Sequence, residues 1–181
     1  MEYAKKNTRK FDRYIKVLAK KKGKRLSANA VSLLDSYLHS ILETRVALAC
    51  QFRDTANPSR VTLLQRDIQT AINRKWNIQM DKDFTDFVHD ALDQYSTHSK
   101  GSRANKAGLT VSVGRVDRLV RDQDGVISHQ IEKSVFIYVA ALIEFVILFV
   151  FRNIQEQFPN ETRFEKHMIA KVFEMFTFFT E

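Results

Sequence analysis

Arg115, Arg118 and Arg121 recur at i, i+3 and i+6, and Lys20-Lys21-Lys22-Gly23-Lys24-Arg25 packs five cations into six residues. Guanidinium and ammonium groups at this density suit one kind of chemistry, the capture of phosphate or similar polyanion oxygens. Their distribution along the chain is uneven. Residues 1–25 hold eleven Lys/Arg against Glu2 and Asp12, a net +9, whereas the remainder has 18 basic and 19 acidic residues. A basic leading segment on a nearly neutral body points to nucleic acid as partner, with a merely solvated basic tail as the alternative. Lys20–Arg25 also has the form of a nuclear-import signal.

Bond-making chemistry finds little support. His39, His89, His98, His129 and His167 are scattered without ligand spacing, and Cys50 is the sole cysteine, so neither a metal set nor an internal disulfide is expected. Asp81, Asp83, Asp86, Asp90 and Asp93 lack the glycine and terminal glutamate of a calcium loop and read as a solvated helix face. GxSxG, GxGxxG and Walker patterns are missing from the sequence. The expectation is a binding protein with no enzymatic activity, no cofactor and no small-molecule substrate. Asn160-Glu161-Thr162 matches a glycosylation sequon, but Met1–Tyr14 has no apolar run of a secretory signal, so it is read as a loop.

Helices must position these cations. Ser27–Phe52 has apolar residues at Val31, Leu34, Leu38, Ile41, Leu42, Ala49 and Phe52, the period of a long helix with one buried stripe. Ser27 is placed to cap it, and Asn57-Pro58 to stop it. Before it, Phe11–Lys20 reads as a short amphipathic helix, and Met1–Lys10 as a basic arm. After it come a loop at Thr55–Val61, a short helix through Ile72 opened by a capping box at Thr62–Gln65, and an amphipathic helix from Met80 to Tyr95. Ser96–Lys106 is polar, small and aperiodic, a linker. Val113–Arg121, a loop at Asp122–Glu132, a long apolar helix at Ser134–Gln155 and a last helix entered by Thr162 and Glu165 complete the order.

With 44% hydrophobic residues in 181, five Gly and two Pro, the chain can bury a core built from long helices. Each long helix has a stripe that its short neighbours are too small to cover. The economical solution is all-α: two copies of a helix–long helix–helix unit packed on each other. Val135–Phe151, apolar except for Glu144, is shorter than the roughly 20 residues that span a bilayer and has a carboxylate near its middle. It is therefore read as core, and no membrane partner is expected.

The first half resembles histone 2B, through Tyr14-Ile15-Lys16-Val17-Leu18, Leu26-Ser27, Arg60-Val61-Thr62 and Arg66-Asp67-Ile68-Gln69-Thr70-Ala71-Ile72. The second half resembles histone 2A, through Lys106-Ala107-Gly108-Leu109, Val113-Gly114-Arg115-Val116-Asp117-Arg118-Leu119-Val120-Arg121, Tyr138–Phe145 and Thr162-Arg163. The whole looks like a short member of the fused histone 2B–histone 2A doublets of giant viruses, the Marseillevirus-like type. The resemblance implies two histone folds in an intramolecular handshake. Residues 1–10 would be the arm, 11–95 the histone 2B-like fold, 96–106 the linker and 107–181 the histone 2A-like fold. It further implies double-stranded DNA wrapped on the outer face, a partner like a histone 3–histone 4 doublet or tetramer, and a place in the viral particle and the host nucleus or viral factory.

Under that resemblance, Arg60 and Arg163 match arginines that enter the minor groove, and Thr62 and Thr162 match the threonines beside them. Lys24, Arg25 and Ser27 fall in the first DNA-facing loop. Arg115, Arg118 and Arg121 lie along the short helix of the second fold, with Arg103 and Lys106 leading into it. Asp122–Glu132 has no Arg or Lys where histone 2A carries a groove-inserting arginine, so that contact is not expected. Of the outward carboxylates that bind arginine-bearing ligands in the family, Glu144 alone is kept. Phe149 and Arg152 replace two others, with Gln79 and Phe87 at the histone 2B positions. Arginine-anchored ligands are thus expected to bind poorly, and Asp81, Asp83, Asp86 and Asp90 to offer a displaced acidic surface. A histone-fold accessory or transcription subunit reading one DNA site is the competing function.

Overall fold

Ser27 opens the longest helix by accepting the Ala30 N–H on its hydroxyl at 3.2 Å. The computed structural model describes residues 11–57, 59–73, 78–123 and 130–176, with 78–81 described by backbone alone. The arm at Met1–Lys10, Pro58, most of the Asp122–Glu132 loop and the side chains of Gln79 and Asp81 therefore lie outside the described residues. Among those described, the order is α1 (Asp12–Lys21), β1 (Arg25–Leu26), α2 (Ala28–Ala56), α3 (Gln65–Asn73), α4 (Ile78–Thr97), α5 (Arg103–Lys106), α6 (Val113–Arg121), α7 (Lys133–Gln157), β2 (Arg163–Phe164) and α8 (Lys166–Met175). The architecture is all-α apart from the two-residue strands.

At 1.5 Å per residue, α2 runs about 43 Å and α7 about 37 Å. Helix α2 buries one face, with Val31, Leu34, Leu38, Ile41, Leu42 and Ala49 inside as the periodicity predicts; Phe52 is only half-buried. Helix α7 is different. It is buried without a break from Val135 to Ile147, because α1, α3 and α4 of the first half and α6 and α8 of the second all pack on it. A helix that is apolar on every side must be central. It is also long and apolar enough to cross a membrane, but 89% of its most apolar stretch is enclosed by the protein itself.

Each half contributes to the other's cover. Helix α8 packs on α2, and α4 lies along α7. Phe84 of α4 meets Tyr138 and Phe145 of α7 edge-on, at 5.5 and 5.3 Å between ring centroids. Tyr37 of α2 stacks on Phe173 of α8 at 3.9 Å. Such pairs add about 0.5–1.5 kcal/mol beyond area burial. A single core cluster runs from Phe11 to Phe173.

Several local expectations need correction. Thr62 does not cap α3, because that helix starts at Gln65, too far along for its hydroxyl. The α3 N-terminus is served instead by Asp67, which accepts the Leu64 N–H at 2.9 Å, and by Glu132 from the other half, which accepts the Gln65 N–H at 2.8 Å. Thr162 is not a cap either: α8 begins at Lys166, and its N-cap residue Glu165 makes no side-chain cap bond. The linker is shorter than Ser96–Lys106. Helix α4 continues to Thr97, and Ser102 caps the turn α5 by accepting the Asn105 N–H at 3.2 Å, leaving 98–102 as connection. Gly108 follows at φ +66°, where any side chain would run into Gln94 of α4.

Candidate nucleic-acid interface

Two loop pairings join the halves, and the first of them brings basic residues of both together. At one end β1 and β2 pair in parallel, Arg25 opposite Arg163 and Leu26 opposite Phe164. Arg25 N–H donates to the Thr162 carbonyl and Ser27 N–H to the Phe164 carbonyl, each at 3.1 Å. The Lys24 ammonium donates to the Glu161 carbonyl at 2.8 Å and lies 5.8 Å from the Phe164 ring centroid. Residues 137 positions apart in sequence thus form one cationic end containing Lys24, Arg25, Thr162 and Arg163. Arg25, Thr162 and Arg163 are exposed and Lys24 is half-buried. Arg163 has Glu165 at 3.1 Å, but both side chains are well exposed, and such a pair is worth little in water. Ser27 is the exception. It is 7% exposed and its hydroxyl is spent on the α2 cap, so it is a structural residue rather than a phosphate ligand.

The other end is built the same way. Leu63 bridges Ile131, with Leu63 N–H donating to the Gln130 carbonyl and Glu132 N–H to the Leu63 carbonyl, both at 3.0 Å. Arg60 and Thr62 sit here. Arg60 does not project freely. Its guanidinium forms a two-pronged bond with Asp67, both arms at 2.8 Å, and also donates to the Thr62 carbonyl at 3.1 Å. Burial pushes the Asp67 carboxyl up, but the bonds from Arg60 and the Leu64 N–H and the charges of Arg60 and Arg66 outweigh it, leaving its pKa below the usual value.

This pair allows a prediction. Replacing Asp67 with Asn should destabilise the protein by about 2–3 kcal/mol at neutral pH, less than the roughly 3–5 kcal/mol of a fully enclosed pair. Because the folded pKa is depressed, the Asp67 contribution is present above the unfolded value near 3.9 and is lost as pH falls through the folded value. Urea midpoints for parent and variant should therefore differ at pH 7 and converge in strong acid. A constant difference across that range would mean that packing, not charge, holds the loop.

Between the ends, α1 faces the start of α6. Arg13, Tyr14 and Lys21 line an open groove of about 650 Å³ opposite Ser102, Asn105 and Ser112. The Lys21 ammonium donates to the Thr110 hydroxyl at 2.8 Å. Arg13 was not among the residues that the sequence singled out, and Lys21 entered only as part of the Lys20–Arg25 run, although the two lie eight apart and exposed on one helix. Ser112 caps α6 by accepting the Arg115 N–H at 3.3 Å.

The three α6 arginines do not act as one stripe. Arg118 is exposed and donates to the Gly114 carbonyl, 3.3 Å away; Arg115 is half-buried. Arg121 turns back to Asp117, which also takes Arg103 at 2.8 Å. Both guanidiniums lie over the Phe136 ring, at 4.9 and 5.9 Å from its centroid. Asp117 therefore offsets one of two charges and fixes both in place. Lys106 sits over Tyr95 at 6.0 Å.

Glu144, read from sequence as an outward carboxylate, is 5% exposed. One of its oxygens accepts the Thr110 and Val111 N–H groups, at 2.6 and 2.9 Å, because the turn before α6 folds over this point of α7. Burial raises its pKa despite those bonds and the nearby Lys21 charge. It is a fastening and not a surface site. In α2, Asp35 does a similar service, accepting the Phe11 N–H at the start of α1. Asp86 and Asp90 are exposed on α4, whereas Asp83 lies 3.7 Å from Arg152.

Comparison with known proteins adds no identity: no protein-family model matches the chain, and no curated protein matches it in sequence.

Proposed function

We propose that the chain is a fused histone 2B–histone 2A doublet that packages double-stranded DNA. In this reading residues 11–95 and 107–181 are two histone folds in a handshake. They bind backbone and minor groove without sequence preference, beside a histone 3–histone 4-like doublet or tetramer. The viral particle and the host nucleus or viral factory are the corresponding sites of action. The observation that carries the reading is the pair of cross-half loop junctions: at Arg25 with Arg163 cations of both halves meet, and at Leu63 with Ile131 the first half brings Arg60 to the second. Regularly placed basic loops of this kind bind wherever a curved duplex brings phosphates inward, at an energy set by counterion release and DNA stiffness. Burial of α7 by protein favours this reading over a membrane role.

The test is to assemble the chain on several unrelated duplexes, with and without a histone 3–histone 4-like partner, and digest with nuclease. A protected fragment of one length on every sequence, appearing only with the partner, is the expected result. Protection confined to one sequence would instead identify an accessory subunit that reads a specific site.

A further inference from the structure

Phe87 of α4, Phe145 and Phe149 of α7 and Phe164 of β2 wall a surface cavity of about 320 Å³. The walls support one another: Phe145 lies 5.9 Å from Phe87 and 6.3 Å from Phe149, centroid to centroid. Lys22, Lys24 and Arg152 also line it, and none of the described lining residues is acidic. Each cation has a distinct setting. Lys24 is held by a backbone carbonyl and an aromatic face, and Lys22 is exposed. The Arg152 guanidinium lies 5.6 Å from the Phe149 centroid; the Asp83 carboxylate is 3.7 Å from it and the pair is half in solvent.

An aromatic cavity of this size admits one large apolar side chain. Cations beside it attract carboxylates on either side of that anchor and repel basic sequences. We propose that this cavity is a docking site for an acidic segment of a partner protein, with a phenylalanine-like anchor in the cavity and flanking Asp/Glu against Lys22, Lys24 and Arg152. The pairing is one of complementary chemistry: aromatic anchors in a desolvated pocket carry most of the affinity, and the charges set selectivity and encounter rate. The proposal does not rest on the DNA-binding reading.

The test uses the DNA-free chain and a fluorescent twelve-residue peptide with one Phe flanked on both sides by Asp and Glu, titrated by anisotropy. Two control peptides replace Phe with Ala, or every acid with Lys. The expected result is binding by the parent chain, weakened at least tenfold by either peptide change. It should also weaken at least tenfold in Arg152→Glu combined with Lys22→Glu, and in Phe87→Ala, with thermal melts of the rim variant unchanged. Equal binding of the Phe-free acidic peptide would reduce the effect to net charge and overturn the proposal. So would failure of the acidic peptide to bind at all. A tenfold gain on removing residues 177–181 would assign the cavity to the chain's own Phe178 and Phe179, since Phe176 already packs on Phe149 at 4.9 Å. Loss of duplex binding in Phe87→Ala, matching the peptide loss, would assign it to nucleic acid. Both of these results overturn a partner protein.

Discussion

A variant carrying Lys24→Ala, Arg25→Ala, Arg118→Ala and Arg163→Ala is expected to bind duplex DNA with a log-affinity versus log-salt slope about 3.6 shallower than the parent. The figure follows from roughly 0.9 per lost phosphate contact, and at 0.1 M salt, relative to 1 M, it corresponds to about three and a half orders of magnitude in affinity. These four were chosen because three of them are exposed, Lys24 is half-buried, and none is tied to a buried carboxylate. Arg121→Ala is the control. Its guanidinium shares Asp117 with Arg103, so the slope should change by less than about 0.5. Titrations at several salt concentrations on two unrelated duplexes check both values. An unchanged slope in the fourfold variant, with the fold intact, would move the DNA contact away from this end and from Arg118.

Glu144→Ala is expected to have the largest effect on stability among single substitutions away from the apolar core. It leaves the Thr110 and Val111 N–H groups without their acceptor, at about 1–3 kcal/mol each, a total of about 2–6 kcal/mol. Glu144→Gln separates charge from acceptor, since its amide oxygen can still receive an N–H. The folded pKa of Glu144 is raised, so its contribution is complete below the unfolded value near 4.3 and declines as pH rises through the folded value. Stability of Glu144→Gln relative to the parent should therefore improve as pH rises above the unfolded value and level off once it has passed the folded one. Urea unfolding across that range measures the difference, and a flat or opposite trend would show that the carboxylate is not held against its own burial. Asp67 has the reverse pH dependence, because there the ion pair outweighs burial.

Much of the helical order was legible in the chain itself. Local rules suffice for it: the apolar period of α2, the Ser27 cap, the breaking effect of Gly23 and massed lysines, and the uninterrupted apolar run of α7. Each depends on residues within a turn or two. Two capping boxes failed because they were placed from the pattern alone, while the true helix starts fell three or four residues later. Where the chain pairs across its halves, local pattern carries no such information. The α3 start is completed by Glu132, 67 positions away from Gln65, and no spacing rule reaches that far.

The cationic character of residues 1–25 and the types of residue available for phosphate binding were determined by the sequence. Which of those cations remain available was decided by tertiary structure. Arg60 closes on Asp67, Arg103 and Arg121 share Asp117, and Ser27 is buried by its own helix, because a charge or hydroxyl near the core must find a partner as it loses water. Arg45 makes the same point in α2. It occupies a stripe position between Ile41 and Ala49 and is 2% exposed, with burial lowering its pKa. Glu144 looked outward only while α7 was considered by itself. Once the turn at Thr110 and Val111 folds over it, the carboxylate becomes the acceptor that holds α6 in place. Identity and order of the charged residues are properties of the chain, but their accessibility depends on what the rest of the fold lays across them.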